Sequence, residues 1–338
     1  MPERPAITVA DPMITVLRPG LLSSLQDLGR RGHAAIGLGA SGAMDPTLLR
    51  IANWLVGNDD DAAAIECTLL GPRLRFDVAS VIAWCGADSE ALLDGRHFPT
   101  WRPVPVEPGS VLDLAALRRG ARGYLAVAGG IAVAPVLGSR SVDLNAGIGP
   151  CEGRALRAGD RLALNAAAEP AMRAPSWSVA PSHWLDTSAV RVLRVLRGSH
   201  HAALDPRSRD ALTGERFRVA ADSNRVGVRL TGPTLALQEP LELVSAAATR
   251  GTVQLPPSGQ PIMLAAEHPT TGGYPRIAHL IDADHGALAQ CRPGDHVLLR
   301  LVDADEAESV RRRRAAALAR LRDTVRQRRR ESGCDEST

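Results

Sequence analysis

Short alternating apolar runs closed by glycine or proline turns leave this chain little choice but a mainly-β fold. Ala6-Ile7-Thr8-Val9, Val81-Ile82-Ala83-Trp84, Tyr124-Leu125-Ala126-Val127, Val190 to Leu196 and Thr252-Val253-Gln254-Leu255 are all β-branched or alternating segments of strand length. One turn-and-strand unit occurs three times, as Pro108-Gly109-Ser110-Val111-Leu112-Asp113-Leu114, Ala158-Gly159-Asp160-Arg161-Leu162-Ala163-Leu164 and Pro293-Gly294-Asp295-His296-Val297-Leu298-Leu299. Pro or Ala before Gly supplies a tight turn, and the alternation that follows half-buries a strand. A second echo sets Gly71-Pro72-Arg73-Leu74-Arg75-Phe76 against Gly232-Pro233-Thr234-Leu235-Ala236-Leu237. Such spacing suits barrels or sandwiches, and the echoes hint at two related halves.

A length of 338 residues favours two cores. Aromatic residues are only 3% of the chain, so those cores must be built from Val, Leu, Ile and Ala. Helices are few. Asp45 to Leu55 carries Leu48, Leu49, Ala52 and Leu55 on one face, with Asp45 as cap and Pro46 in the first turn. His279 to Gln290 is a second candidate. Ala166 to Ser188, rich in Ala, Pro, Ser and Trp without period, reads as a linker. From Asp303 the composition turns to Arg and Ala, which predicts a solvated, fraying terminal helix. No apolar stretch approaches the roughly 20 residues of a membrane span. The N-terminus lacks a signal-peptide pattern, and the five cysteines (Cys67, Cys85, Cys151, Cys291 and Cys334) form no C-x-x-C pair, so a reducing cytoplasm is expected.

The chain contains no lysine, and all of its formal positive charge is carried by arginine. That excludes a P-loop lysine, a Schiff-base amine and a lysine to which biotin could be attached. No H-E-x-x-H or paired C-x-x-C pattern points to zinc, and no residue is assigned to a metal. His200-His201 read as strand neighbours pointing apart. The net charge is only +3, and the Arg-rich tail also holds Glu306, Glu308, Asp323 and Glu331 without aromatic residues for base stacking, which argues against nucleic acid.

Two polar blocks carry the candidate chemistry. The first runs from Ser23 through Gln26, Asp27 and Arg30, then Gly37 to Asp45 with Ser41. Hydroxyls, an amide and an arginine interrupted by glycines suit a polar or anionic small molecule, and the helix start after Asp45 adds partial positive charge. Hairpin turns with capping side chains explain the same residues equally well. The second block holds Asn224, Arg225, Gln254, Gln260, Glu267 and the loop Thr270-Thr271-Gly272-Gly273-Tyr274-Pro275. Arg225 can pair bidentately with a carboxylate or phosphate, and Gln254 and Gln260 can orient an amide or ureido group. A turn with a packing tyrosine explains the Gly-Gly-Tyr-Pro part of the loop equally well.

In order along the chain stand Gln26-Asp27-Leu28-Gly29-Arg30, Ser41-Gly42-Ala43-Met44-Asp45-Pro46, Asn53-x-Leu55-Val56-Gly57-Asn58, Glu66-x-Thr68-Leu69-x-Gly71-Pro72, Ala128-Gly129-Gly130-Ile131, Gly138-Ser139-Arg140-Ser141, Asn224-Arg225-x-Gly227-x-Arg229-Leu230-x-Gly232, and Thr270 through Pro275. With these segments the chain resembles, from about Ile14 to Val302, the family known as allophanate hydrolase subunit 2, biotin-dependent carboxyltransferase or the 5-oxoprolinase C subunit, the KipA-like proteins. The resemblance implies two cyclophilin-like β-barrel domains, at 12–165 and 190–302, a linker at 166–189, a few short helices, and an Arg-rich helical or disordered tail at 303–338. It implies ATP-dependent opening of 5-oxoproline to glutamate, with a homologous KipI-like partner (allophanate hydrolase subunit 1, the 5-oxoprolinase B subunit) and a lactam-hydrolase-like protein as the third component, the 5-oxoprolinase A subunit. ATP, with Mg, would then act at the level of the complex. The alternatives are carboxyl transfer from carboxybiotin, borne on a separate carrier, to urea or a related amide, and a non-catalytic regulatory role on a KipI-like protein.

Carried onto this sequence, the resemblance makes Asp45, Glu66, Arg225 and Gln254 catalytic candidates. Gln26, Arg30, Ser41, Arg140, Asn224, Gln260, Thr270, Thr271, Gly272, Gly273 and Tyr274 become substrate-binding candidates. The sequence departs from the family's usual pattern in several places. Ser23-Ser24 precedes Gln26, His33 stands where an aromatic is usual, and Gly149-Pro150 replaces a paired Gly. Around the second block stand Ser245-Ala246 instead of Ser-Glu, Glu267 instead of Asp, and His268-Pro269 where a Gln is usual.

Overall fold

The three repeated turns are built as their sequences require. In the computed structural model, which describes residues 13–165 and 175–332, Gly109, Gly159 and Gly294 have φ of 89°, 89° and 92°. Each is the third residue of a turn closed by a backbone hydrogen bond: Ser110 to Glu107, Asp160 to Arg157 and Asp295 to Arg292. Type II turns need that left-handed residue, and glycine adopts it without steric cost. The strands Val111–Asp113, Arg161–Ala163 and His296–Leu301 follow directly.

The fold is mainly β. In the first half, one six-stranded sheet has the order Arg161–Ala163, Met13–Arg18, Arg73–Phe76, Val111–Asp113, Leu92–Leu93, Arg96–His97. A five-stranded sheet has the order Leu22–Gln26, Ala64–Thr68, Arg122–Val127, Ser80–Gly86, Val104–Val106. Ile14, Leu74, Phe76 and Leu112 of the first sheet pack on Leu25, Ile65, Trp84 and Leu125 of the second in one core. Every residue of Ser80–Gly86 is buried because both faces of that strand are covered. Ile82 and Trp84 face the inter-sheet core, whereas Val81, Ala83 and Cys85 face helix α1 (Pro46–Leu55).

In the second half, Val190–Arg197, Arg276–Leu280, Thr252–Gln254, Ile262–Leu264, Gly227–Thr231, Arg216–Val219 and His296–Leu301 form a closed barrel. His296–Leu301 completes it by pairing in parallel with Val190–Arg197. Phe217, Met263, Leu193 and Leu299 fill it.

Helix α1 starts as expected, with Asp45 Oδ1 accepting from the Thr47 and Leu48 amides. Helix α2 (Pro206–Gly214) lies outside the sequence expectations, although Asp205-Pro206 repeats the Asp45-Pro46 signal and Asp205 caps Ser208 N. The expected helix from His279 to Gln290 is corrected. Residues up to Leu280 belong to a strand paired on both sides, and α3 covers only His285–Ala289. The ladder that closes the barrel overrides local helical pattern there. His201 lies in a 3₁₀ turn, not in a strand. The Gly-Pro echo also fails at its second copy: Arg73–Phe76 is a strand, whereas after Gly232-Pro233 there is only an isolated bridge from Leu237 to Leu204.

The terminal helix α4 (Ala304–Glu331) is not solvated all round. Val325 is buried, Leu318 and Leu321 pack on the α1 cluster, and Arg329 Nη1 donates to Leu55 O at 3.0 Å, at the end of α1. The described part of the linker is likewise packed, with Val179 and Leu185 in that same cluster. Val325→Asp is expected to cost about 2–4 kcal/mol by leaving a charge in an apolar contact; a urea-unfolding midpoint equal to that of the parent would refute the docking of α4. The expected strand Ala6 to Val9, residues 166–174 of the linker, and Cys334 lie outside the described residues. No helix among the described residues is long and apolar enough to cross a membrane.

Candidate functional site

The two halves meet at a buried polar seam. From the first half come Glu66 on Ala64–Thr68, and Arg122 and Tyr124 on Arg122–Val127, with Tyr124 paired directly opposite Glu66 across the ladder. Opposite partners on one face bring their side chains together. Tyr124 Oη donates to Glu66 Oε2 at 2.7 Å and accepts from Asp45 N at 2.7 Å, while Met44 N donates to Glu66 Oε2 at 2.8 Å. From the second half, Arg225 reaches across to Glu66 Oε1 through Nη1, to Glu267 Oε1 through Nε at 2.5 Å, and to Gly42 O through Nη2 at 2.7 Å. Arg250 donates to Ala43 O at 3.2 Å and Met44 O at 2.5 Å, and Arg122 Nη1 donates to Ala289 O at 2.5 Å. Gln290 Oε1 accepts from the Ala121 and Arg122 amides, each at 3.0 Å.

At the seam Arg122, Arg225 and Arg250 face Glu66, Glu267 and Asp45, and Arg314 adds a fourth positive charge acting on Asp45. Burial pushes the Glu66 carboxyl up, but Arg225 and Arg122 outweigh it and hold the group below its ordinary value. Burial pushes Asp45 up, and Arg314 and Arg250 only partly oppose this. Tyr124 is raised well above its usual range, first by burial and then by Glu66 and Asp45, so its hydroxyl keeps its proton. A depressed Glu66 adds stability that is full above the unfolded pKa of about 4.3 and is lost as pH falls through the lower folded value. Asp45 has the opposite sign. In urea titrations at descending pH the stability gap between the parent and Glu66→Gln is therefore expected to narrow below about pH 4. A constant gap down to about pH 3 would refute the ionised seam.

The structure brings Asp45, Glu66 and Arg225 to one seam, with Glu66 and Arg225 as direct partners, Asp45 linked to Glu66 through Tyr124, and all three guanidinium nitrogens of Arg225 committed within the protein. Arg122, Tyr124, Arg250 and Gln290 escape the sequence reading, because only strand register and the docking of the halves bring them in. Gln26, Arg30, Ser41 and Arg140 belong to a second network. Asp27 accepts from Gly29 N, Ser139 Oγ, Ser141 Oγ and Arg140 N. Gln26 Nε2 and Ser41 Oγ donate to Val142 O, and Arg30 Nη2 donates to Ser141 O. These residues lace the first polar block to the segment 139–142. Asn224 Oδ1 accepts from the amides of Val226 and Gly227, making its own turn, and Gln260 Oε1 accepts from Gly232 N at 2.8 Å.

Gln254 differs. Of the described glutamines, Gln26, Gln238, Gln260, Gln290 and Gln327 each make at least one side-chain hydrogen bond, although Gln26 Oε1 and Gln290 Nε2 have none, while neither atom of the Gln254 amide makes one with a described residue. It lies against Gly272, where an added Cβ would meet Nε2 at 2.5 Å. The strand Thr271–Gly272 pairs with Ala246–Ala247, and Ala248 N donates to Thr270 O. From the segments that flank this two-stranded sheet Arg250 and Glu267 enter the seam, and Thr271-Gly272 covers Gln254. Gly39 of the first half abuts His268 O, and Tyr274 is exposed at the rim. An unpaired amide with a glycine-covered face beside a rigid polar seam can recognise a second amide.

Residues 36–301 match the family model "Carboxyltransferase domain, subdomain A and B". The chain is 40% identical over 314 residues to the 5-oxoprolinase C subunit of Haemophilus influenzae, covering 93% of this chain and 99% of that one. It is 40% identical to the 5-oxoprolinase C subunit of Escherichia coli over 299 residues, 88% of this chain and 94% of that one. The crystal structure of the Kluyveromyces lactis urea carboxylase superposes with a TM-score of 0.84 at 29% identity, over 93% of this chain and 29% of that much longer one.

Proposed function

Because the chain belongs to the family of carboxyltransferase domains with subdomains A and B, we propose that it is one component of a 5-oxoprolinase, which opens the lactam of 5-oxoproline to glutamate with ATP and a homologous partner protein. The observation that carries this reading is the Gln254 amide, 5% exposed and without a hydrogen bond to a described residue, under Thr271-Gly272. A lactam presents N–H and C=O on one edge, and a primary carboxamide offers the complementary acceptor and donor on one edge of its own. Gln254 would orient the substrate, with Thr270, Thr271, Gly272, Gly273 and Tyr274 as the wall around it. Asp45, Glu66 and Arg225 are positioning residues that hold the two halves, and hence that wall, in place.

The phosphates of ATP have no fitting cradle in the seam, since Arg122, Arg225 and Arg250 are each engaged by carboxylates or backbone carbonyls. No step is therefore routed through nucleotide on this chain, and the nucleotide is assigned to the complex. The deciding experiment is mass-spectrometric detection of glutamate from 5-oxoproline and ATP, using this chain with co-expressed KipI-like and lactam-hydrolase-like partners. Absence of glutamate from every combination would reject the proposal.

The fold likeness to a urea carboxylase favours a second reading, carboxyl transfer to urea or a related amide. Urea offers the same N–H and C=O edge to Gln254, and biotin would arrive on another protein because this chain has no lysine to bear it. Avidin-sensitive turnover with a biotinylated carrier would select that reading.

A further inference from the structure

A cavity of about 410 Å³ lies away from Gln254, between the connecting residues 182–188, the barrel strand Val190–Arg197, the start of α3 and helix α4. Four charged side chains line it: Asp186, Arg194, Asp284 and Arg314. Arg194 and Asp284 neutralise one another through Nε to Oδ2 at 2.9 Å and Nη2 to Oδ1 at 2.5 Å. The other two form no ion pair with a described residue. Arg314 lies over the Trp184 ring, 5.9 Å from its centroid, and makes no hydrogen bond with a described residue. A guanidinium over an indole face keeps its edge N–H donors available to a carboxylate. Asp186 uses Oδ1 to accept from Ser188 N at 2.8 Å, and its Oδ2 accepts from no described residue.

The lining thus sums to zero formal charge but leaves one cation and one anion apart, each with open hydrogen-bonding capacity. A phosphate dianion would meet a single unpaired guanidinium together with two carboxylates. A zwitterion matches both ends. We propose that this cavity binds a free α-amino acid, its carboxylate on Arg314 and its ammonium on Asp186, at a site distinct from the Gln254 wall. The volume accommodates an amino acid of ordinary size with a few waters at roughly 30 Å³ each. The cavity also has a route to the seam, because Arg314 is the strongest of the charges that oppose burial at Asp45.

Calorimetric titration of the full chain alone tests this, independently of any turnover. The probes are L-glutamate, L-leucine, L-arginine, 5-oxoproline and inorganic phosphate. At least one amino acid is expected to bind with Kd of about 1 mM or tighter, with affinity falling about tenfold or more in both Arg314→Gln and Asp186→Asn. Binding is expected to be unchanged in Gln254→Ala. Unfolding midpoints establish that the variants remain folded. The proposal is overturned if no amino acid binds at about 10 mM, if binding survives both cavity substitutions, if it is lost in Gln254→Ala, or if phosphate, or 5-oxoproline titrated into Gln254→Ala, where the substrate wall is disabled, binds equally well.

Discussion

Arg225→Ala is expected to lower folding stability by about 3–5 kcal/mol, because it strands two buried carboxylates. Glu66 and Glu267 are 2% and 4% exposed, so solvent cannot take over the lost guanidinium. Three other contacts of Glu66 remain, from Tyr124, Met44 and the more distant Arg122, which is 4.0 Å away. Glu267 loses its ion-pair partner among the described residues. The Gly42 carbonyl loses its donor from Nη2 as well. Arg225→Lys keeps the charge but cannot serve three acceptors in the geometry of a guanidinium fork, and an intermediate loss is expected. Removing all three groups together, as Glu66→Gln, Arg225→Met and Glu267→Gln, is expected to cost less than the sum of the single changes, since only Arg122, 4.0 Å from Glu66, then loses a carboxylate. Urea unfolding at neutral pH measures each. A loss below about 1 kcal/mol for Arg225→Ala would mean that the seam is wet and its ion pairs behave as surface pairs do.

The second large effect concerns turnover. In the active complex Gln254→Ala is expected to reduce kcat/KM by about 10²–10³, the scale seen when one preorganised donor at a reaction centre is removed. Stability should fall far less than in Arg225→Ala, since the Gln254 amide makes no hydrogen bond with a described residue; the truncation loses only the packing of a side chain 5% exposed, about 1 kcal/mol. Gly272→Val approaches the same point from the other side. Its Cβ would sit 2.5 Å from Gln254 Nε2, so the amide must turn away, and turnover should fall in parallel. Retention of activity in both variants would remove Gln254 from the site and leave the amide-recognition reading without support. Arg225→Ala, by contrast, should lose stability and activity together.

Much of the architecture is legible in the sequence. The three Pro/Ala-Gly turns each contain a glycine that must adopt positive φ, so their strands are readable within about two residues. Asp45-Pro46 announces α1 for the same local reason: cap and first turn are decided by adjacent residues. Asp205-Pro206 carries an equal signal for α2. Where sequence and structure part, a distant partner decides the matter. His279 and Leu280, read as the start of a helix, instead end the strand Arg276–Leu280 that joins the barrel between Thr252–Gln254 and Val190–Arg197. The terminal arginines look solvated, yet Arg329 finds Leu55 O 274 positions away.

The lysine-free composition, the β-turn repeats and the order of the glycine-rich motifs belong to the sequence alone, because each depends on residue identity or on neighbours within a turn. That Arg225 is held by Glu66 and Glu267, and that Gln254 is the described glutamine left without a described partner, was decided only by the tertiary structure. A buried charge takes whichever opposite charge the docking of two halves brings within reach, and Glu66 lies 159 residues from Arg225. Local chemistry marks a side chain as able to bind; only packing determines whether the protein has already used it.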